Sequence, residues 1–146
     1  MKLKIGMVGT NFISDDFCDA TRQVPGAEVC AIYSRKQETG DVFAQKHGIP
    51  CVYTNYDMFL NSGLDAVYIA SPNFAHCTQT IKALERGKHV LCEKVMAMNE
   101  QEDRSMIDCA RKNNMILLEA MRPDFDPAFD IIQKALPRIG KLRRAS

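Results

Sequence analysis

No stretch of this 146-residue sequence is apolar for long enough to cross a bilayer as a helix. The amino-terminal residues lack the basic, apolar and small-residue zones of a secretory leader, and the chain opens directly on a strand-like run. An excess of either charge is missing as well. Nineteen basic side chains face eighteen acidic ones, so nothing in the net charge attracts nucleic acid or an anionic membrane. The six cysteines, Cys18, Cys30, Cys51, Cys77, Cys92 and Cys109, include no C-x-x-C pair and fall mostly at apolar positions of expected helices and strands. That argues against a disulfide framework, and no His, Cys or Asp/Glu spacing has the pattern of a metal site. Internal repeats and low-complexity tracts are also absent. With 46% hydrophobic residues the chain can bury a real core. The expectation is one globular domain in a reducing compartment, most simply the cytoplasm, with no nucleic-acid or membrane partner.

What is present is an alternation of short apolar runs and helical periodicities. Lys2 to Gly9 reads as a strand that turns at Gly9-Thr10-Asn11 into a helix through about Gln23. Ala27 to Ser34 is a second strand, Gln37 to Lys46 a helix ended by Gly48, and Cys51 to Tyr53 a brief strand. Thr54 with Asp57 has the form of a capping box for a short helix through Leu60. Ala66 to Ala70 and His89 to Cys92 are β-branched, apolar runs with the look of strands covered on both faces. Between them Phe74, Cys77, Ile81 and Leu84 recur at helical spacing, and Gly87 is placed to end that helix in the left-handed conformation. Asn99 with Glu102 caps a helix through about Lys112, Met115 to Glu119 forms a further strand, and a last helix runs from about Pro127 to Leu136. The pattern predicts a doubly wound α/β fold with a parallel sheet. In such sheets ligands bind beyond the carboxyl ends of the strands.

Four groups of residues fall at those ends. A dinucleotide fingerprint G-x-G-x-x-G aligns on Gly9, Asn11 and Ser14, so only its first glycine is present. Gly9 permits a tight turn, Asn11 tolerates positive φ, and Ser14 is small enough for close helix packing; a pyrophosphate at the helix N-terminus and an ordinary strand-to-helix turn both fit. The second strand ends Tyr33-Ser34-Arg35 with no acid to meet a ribose 2′-hydroxyl. That favours NADP over NAD, with Arg35 on the adenine and the 2′-phosphate and Ser34 adding a hydroxyl; a solvated arginine is the alternative. His76 lies one turn inside the helix after Pro72, as a cofactor-facing group or as a capping or packing one. Glu93-Lys94 directly follows a buried strand. Dehydrogenation needs a group that moves a hydroxyl proton as hydride leaves, which a lysine so placed can supply; a structural ion pair is the alternative.

Together these residues resemble the glucose-fructose oxidoreductase, inositol dehydrogenase and rhizopine-catabolism (Gfo/Idh/MocA) family of NAD(P)-dependent oxidoreductases. The resemblance covers nearly the whole chain and is strongest at Ile5 to Ile13, at Ala70 to His76 and at Ala83 to Asn99. It implies a Rossmann-type domain over residues 1–121 and, over 122–146, a linking helix and the start of a substrate domain, the polypeptide being a fragment or truncated product. It implies that Gly9, Thr10, Asn11, Phe12 and Ile13 meet the pyrophosphate and Ser34 and Arg35 the adenosine end. Ser71, Pro72, Asn73 and His76 would line the middle of the cofactor, and Glu93 and Lys94 the nicotinamide ribose, with Lys94 also the catalytic proton-transfer group. Substrates of the class are sugars, cyclitols and diols, and homo-oligomers form through the second domain. The family pattern is Glu-Lys-Pro, often with a cis peptide before the proline; Val95 stands there in this chain, where cis is costly, which leaves the aim of Lys94 open. Other readings are a non-catalytic nucleotide-sensing module and a Rossmann domain for another adenine ligand such as a methyl donor.

Overall fold

The computed structural model describes residues 2–141 and 144. Six parallel strands form one sheet in the order β3-β2-β1-β4-β5-β6. The strands are β1 (Leu3–Val8), β2 (Ala27–Tyr33), β3 (Cys51–Tyr53), β4 (Ala66–Ile69), β5 (His89–Cys92) and β6 (Leu117–Glu119). The helices are α1 (Phe12–Arg22), α2 (Gln37–His47), α3 (Tyr56–Leu60), α4 (Asn73–Glu85), α5 (Glu100–Lys112) and α6 (Pro127–Ala135). Because β1 has β2 on one side and β4 on the other, the winding reverses beside it and opens a crevice there. Register aligns the strand ends: Val8 is level with Tyr33 and Ile69, Ile69 with Cys92, and Cys92 with Glu119. The next residues in each chain, Gly9, Ser34, Ala70 and Glu93, therefore emerge along one edge.

Alternation along the strands divides the core in two. Val8, Val67 and Ile69 pack with Phe59, Leu60 and Leu84 on one face, whereas Met7, Ile32 and Tyr68 pack with Cys18, Phe43 and Ala44 on the other. The α1 and α2 helices are joined across their outer surface by Asp15, whose carboxylate accepts from Lys46 Nζ at 2.8 Å and lies 2.6 Å from His47 Nε2. Lys46 first, then His47, holds the Asp15 carboxyl below the usual carboxylate range. All six cysteines are free thiols.

Three local expectations need correction. Asn55, not Thr54, caps α3, its side chain accepting from the Met58 amide at 3.0 Å. The buried stripe of α4 is His76, Thr80, Ala83 and Leu84, while Phe74 is 72% exposed. The strand expected from Met115 begins at Leu117. Gly87 does stop α4 at φ 69°. The Phe129, Ile131 and Ile132 side chains of α6 are exposed, in a helix that packs mainly against the flanking 3-10 turns Arg122–Phe125 and Leu136–Ile139. The anticipated strand beginning after Ile139 falls largely on residues 142, 143, 145 and 146, outside the described residues. Among the described residues no helix is long and apolar enough to cross a membrane.

Candidate functional site

The turn after β1 passes very close to the end of β4. Gly9 has φ 103°, and a Cβ built on it would stand 2.5 Å from the Ala70 carbonyl oxygen. Only glycine satisfies both conditions. Asn11 does not take positive φ as expected; its φ is −90° and it is the N-cap of α1. Its Oδ1 accepts from the amides of Ile13 at 3.0 Å and Ser14 at 3.3 Å, and its Nδ2 donates to Ala70 O at 2.7 Å. One side chain thus caps the helix and pins the turn to β4. Ser14 is fully buried, the close packing expected of a small residue there. The amides of Thr10, Asn11 and Phe12 have no partner among the described residues. Three consecutive free donors at the N-terminus of an 11-residue helix suit a pyrophosphate, by hydrogen bonding and by the helix dipole.

From this turn a cleft of about 690 Å³ extends between the end of β2 and the start of α4, bordered by Gly9, Thr10 and Asn11, by Arg35, Lys36 and Thr39, and by Ser71, Pro72 and Phe74. Arg35 is exposed on the β2 side and pairs with no carboxylate among the described residues. Ser34 borders the cleft but is buried, and its hydroxyl donates to Lys36 O at 2.9 Å. It builds the turn that presents Arg35 and Lys36 rather than offering a free donor. Neither α2, which starts after Lys36, nor α4, which starts after Pro72, has a side-chain cap.

On the opposite wall Ser71 Oγ donates to Gln79 Oε1 at 2.6 Å. Pro72 and Asn73 are exposed at the head of α4. His76, expected to line the cofactor, is instead 0% exposed behind that wall. Its Nε2 lies 2.8 Å from Ser71 O and its Nδ1 2.8 Å from Val95 O. Both partners are carbonyl oxygens, which only accept, so the single N–H of a neutral ring donates to one of them while the ring packs between the loop after β4 and the segment after Lys94.

Glu93 and Lys94 diverge. Lys94 is exposed beyond β5, and the Lys94–Val95 peptide is cis although residue 95 is valine. The Glu93 carboxylate turns to the other face of the sheet, where Oε1 accepts from Tyr68 Oη at 2.7 Å and Oε2 from the Lys94 amide at 3.3 Å. There it lines a separate groove of about 740 Å³ with Ile13, Phe17, Leu91, Ala120 and Arg122. Tyr68 is stacked on Phe17 with centroids 3.8 Å apart, and burial, then the bond to Glu93, push its hydroxyl pKa far up. The Glu93 side chain therefore braces the end of β5 from below and is not in the cleft with Arg35. Lys36, Thr39 and Gln79 do border that cleft and were not singled out in the sequence; Lys36 could have been found from its place next to Arg35 after the β2 end.

A parallel sheet with a crevice at its reversal point, free amides at the first turn and a cation after the second strand defines a dinucleotide-binding Rossmann domain. The chain belongs to the Gfo/Idh/MocA oxidoreductase family with its NAD-binding Rossmann fold, whose model matches residues 3–121. It is 38% identical over 143 residues to a scyllo-inositol 2-dehydrogenase (NADP(+)) of Bacillus subtilis, covering 97% of this chain and 44% of that one. Identity to a trans-1,2-dihydrobenzene-1,2-diol dehydrogenase of Xenopus laevis is 35% over 139 residues, 93% of this chain and 42% of that one. The crystal structure of KijD10, a 3-ketoreductase from Actinomadura kijaniata in complex with NADP and TDP-benzene, superimposes with a TM-score of 0.89 at 26% identity, over 94% of this chain and 43% of that one. The chain spans less than half the length of these relatives.

Proposed function

We infer that this domain holds NADP in preference to NAD for an oxidoreductase that moves hydride between the nicotinamide and a sugar, cyclitol or diol-type substrate. The observation that carries the reading is the row of free Thr10, Asn11 and Phe12 amides beside Gly9, continuous with a cleft whose β2 end carries Arg35 and no acid. The amides suit the pyrophosphate, and Arg35 with Lys36 suits a 2′-phosphate. Two relatives, a scyllo-inositol 2-dehydrogenase (NADP(+)) and a trans-1,2-dihydrobenzene-1,2-diol dehydrogenase, support the cofactor and the polyhydroxy substrate class.

The nicotinamide supplies hydride acceptance or donation when bound. For this chain the chemical part falls to Lys94, whose exposed side chain beyond β5 is free to take or hold the hydroxyl proton. His76 sets the path of the segment carrying Lys94 through its contact with Val95 O. The chain spans under half the length of its relatives, and turnover is proposed for the whole protein. Calorimetry tests the cofactor reading directly. NADPH should bind tighter than NADH, and Arg35→Ala should weaken NADPH by roughly 10- to 100-fold while changing NADH little, the loss of a charge-assisted contact. Absence of binding by either dinucleotide at millimolar concentration overturns it.

A further inference from the structure

The α4 wall of the cleft carries a half-buried amide donor with no partner among the described residues. Phe74, Ala75 and Gln79 all border the cleft, and Ala75 and Gln79, four residues apart, share one face of the helix. Gln79 is held at two points: Oε1 accepts from Ser71 Oγ at 2.6 Å, and its main-chain oxygen accepts from Tyr56 Oη at 2.9 Å. With Oε1 committed to Ser71, the two N–H groups of Nε2 remain, and they have no partner among the described residues. Across the cleft stand Arg35 and Lys36. A guanidinium and the apolar Phe74 and Ala75 bordering one cleft suit a flat heteroaromatic base in chemical character, and an amide donor on the α4 side favours a base with a lone pair on a ring nitrogen.

We propose that Gln79 is a specificity-determining residue for the adenine, its Nε2 donating to a ring nitrogen of the base while Phe74 and Ala75 form the apolar surface beside it. Adenine offers such acceptors, and Ser71 holds the Gln79 amide in the orientation that presents its donors. The assignment rests on the reading of the cleft as a dinucleotide site. It adds that the adenine half is recognised by a hydrogen bond as well as by charge.

The test is calorimetry with three probes: NADPH, adenosine 2′,5′-bisphosphate for the adenine half, and nicotinamide mononucleotide for the other half. Gln79→Leu keeps the bulk and removes the donors. Gln79→Glu keeps an acceptor for Ser71 and so serves if the leucine variant folds poorly. Both should weaken NADPH and the bisphosphate, by about 3- to 10-fold for Gln79→Leu, the size of one neutral hydrogen bond, and leave nicotinamide mononucleotide unchanged. NADPH binding within twofold of wild type in both variants overturns the proposal, as does an equal loss for the two half-cofactors, which marks a packing defect. Failure of the wild-type protein to bind any of the three overturns the dinucleotide reading itself, and this assignment with it.

Discussion

Gly9 is held at φ 103° with the Ala70 carbonyl oxygen 2.5 Å from the place of a Cβ, so a methyl group there meets backbone that cannot swing aside. Gly9→Ala should cost on the order of 1 to 3 kcal/mol of stability, from the backbone conformation and the collision together. It should also weaken NADPH, because the three free amides that follow depend on the same turn. Urea unfolding and calorimetry on one preparation check both effects, and wild-type values for either would remove Gly9 from that role. His76 shows what a single residue conceals from a sequence reader. Its position one turn into α4 was legible, yet whether it faced the cofactor or the protein depended on the Ser71 and Val95 carbonyls, the second of them 19 residues away. The same holds for Glu93, whose direction was set by Tyr68 on the neighbouring strand.

Among the elements, α1 shows most clearly how one side chain serves two ends. Asn11 caps the helix with its oxygen and reaches β4 with its nitrogen. Asn11→Asp separates the two tasks. Aspartate is as good a cap, but it sets an oxygen against Ala70 O where a donor stood. We expect Asn11→Asp to lose about 1 kcal/mol or more by thermal unfolding, whereas Asn11→Gly, which gives up the cap at a cost of a few tenths, keeps the approach to β4 free of repulsion. A more stable aspartate variant would show that the cap, not the link to β4, dominates. Most elements were legible from strand composition and caps, as with Asn99 before α5 and Gly87 after α4. The inner face of α4 was not. Apolar spacing pointed to Phe74, Cys77, Ile81 and Leu84, but the helix buries His76, whose ring N–H can donate to a carbonyl, and Thr80, whose hydroxyl has no hydrogen-bond partner among the described residues.

For the molecule as a whole, the two core layers place thiols where ionisation is disfavoured. Burial pushes the Cys18 thiol up to about 11 and the Cys92 thiol up to about 12, from an ordinary value of 9.0. The folded protein therefore holds these protons after the unfolded chain has released them. Their contribution to stability is complete below about pH 9 and is lost as pH rises toward 11 to 12. The urea midpoint should fall between pH 8 and pH 10.5, and fall less steeply in Cys18→Ala. A midpoint that stays level across that range would contradict the burial of these thiols.

Composition and local pattern decided the alternation of strands and helices, the strand-end position of Gly9, Arg35, Ser71 and Lys94, and the lean toward a 2′-phosphate. These follow from backbone sterics, periodicity and the identity of neighbouring residues, all short-range quantities. Three matters needed the packed sheet: that Gly9 lies against Ala70, that Glu93 leaves the cleft for Tyr68 while Lys94 stays exposed, and that Gln79 stands across the cleft from Arg35. Each depends on strands distant in sequence being brought level by register. No local preference encodes the distance between residues 9 and 70 or between 35 and 79; only the closing of the sheet around β1 sets them.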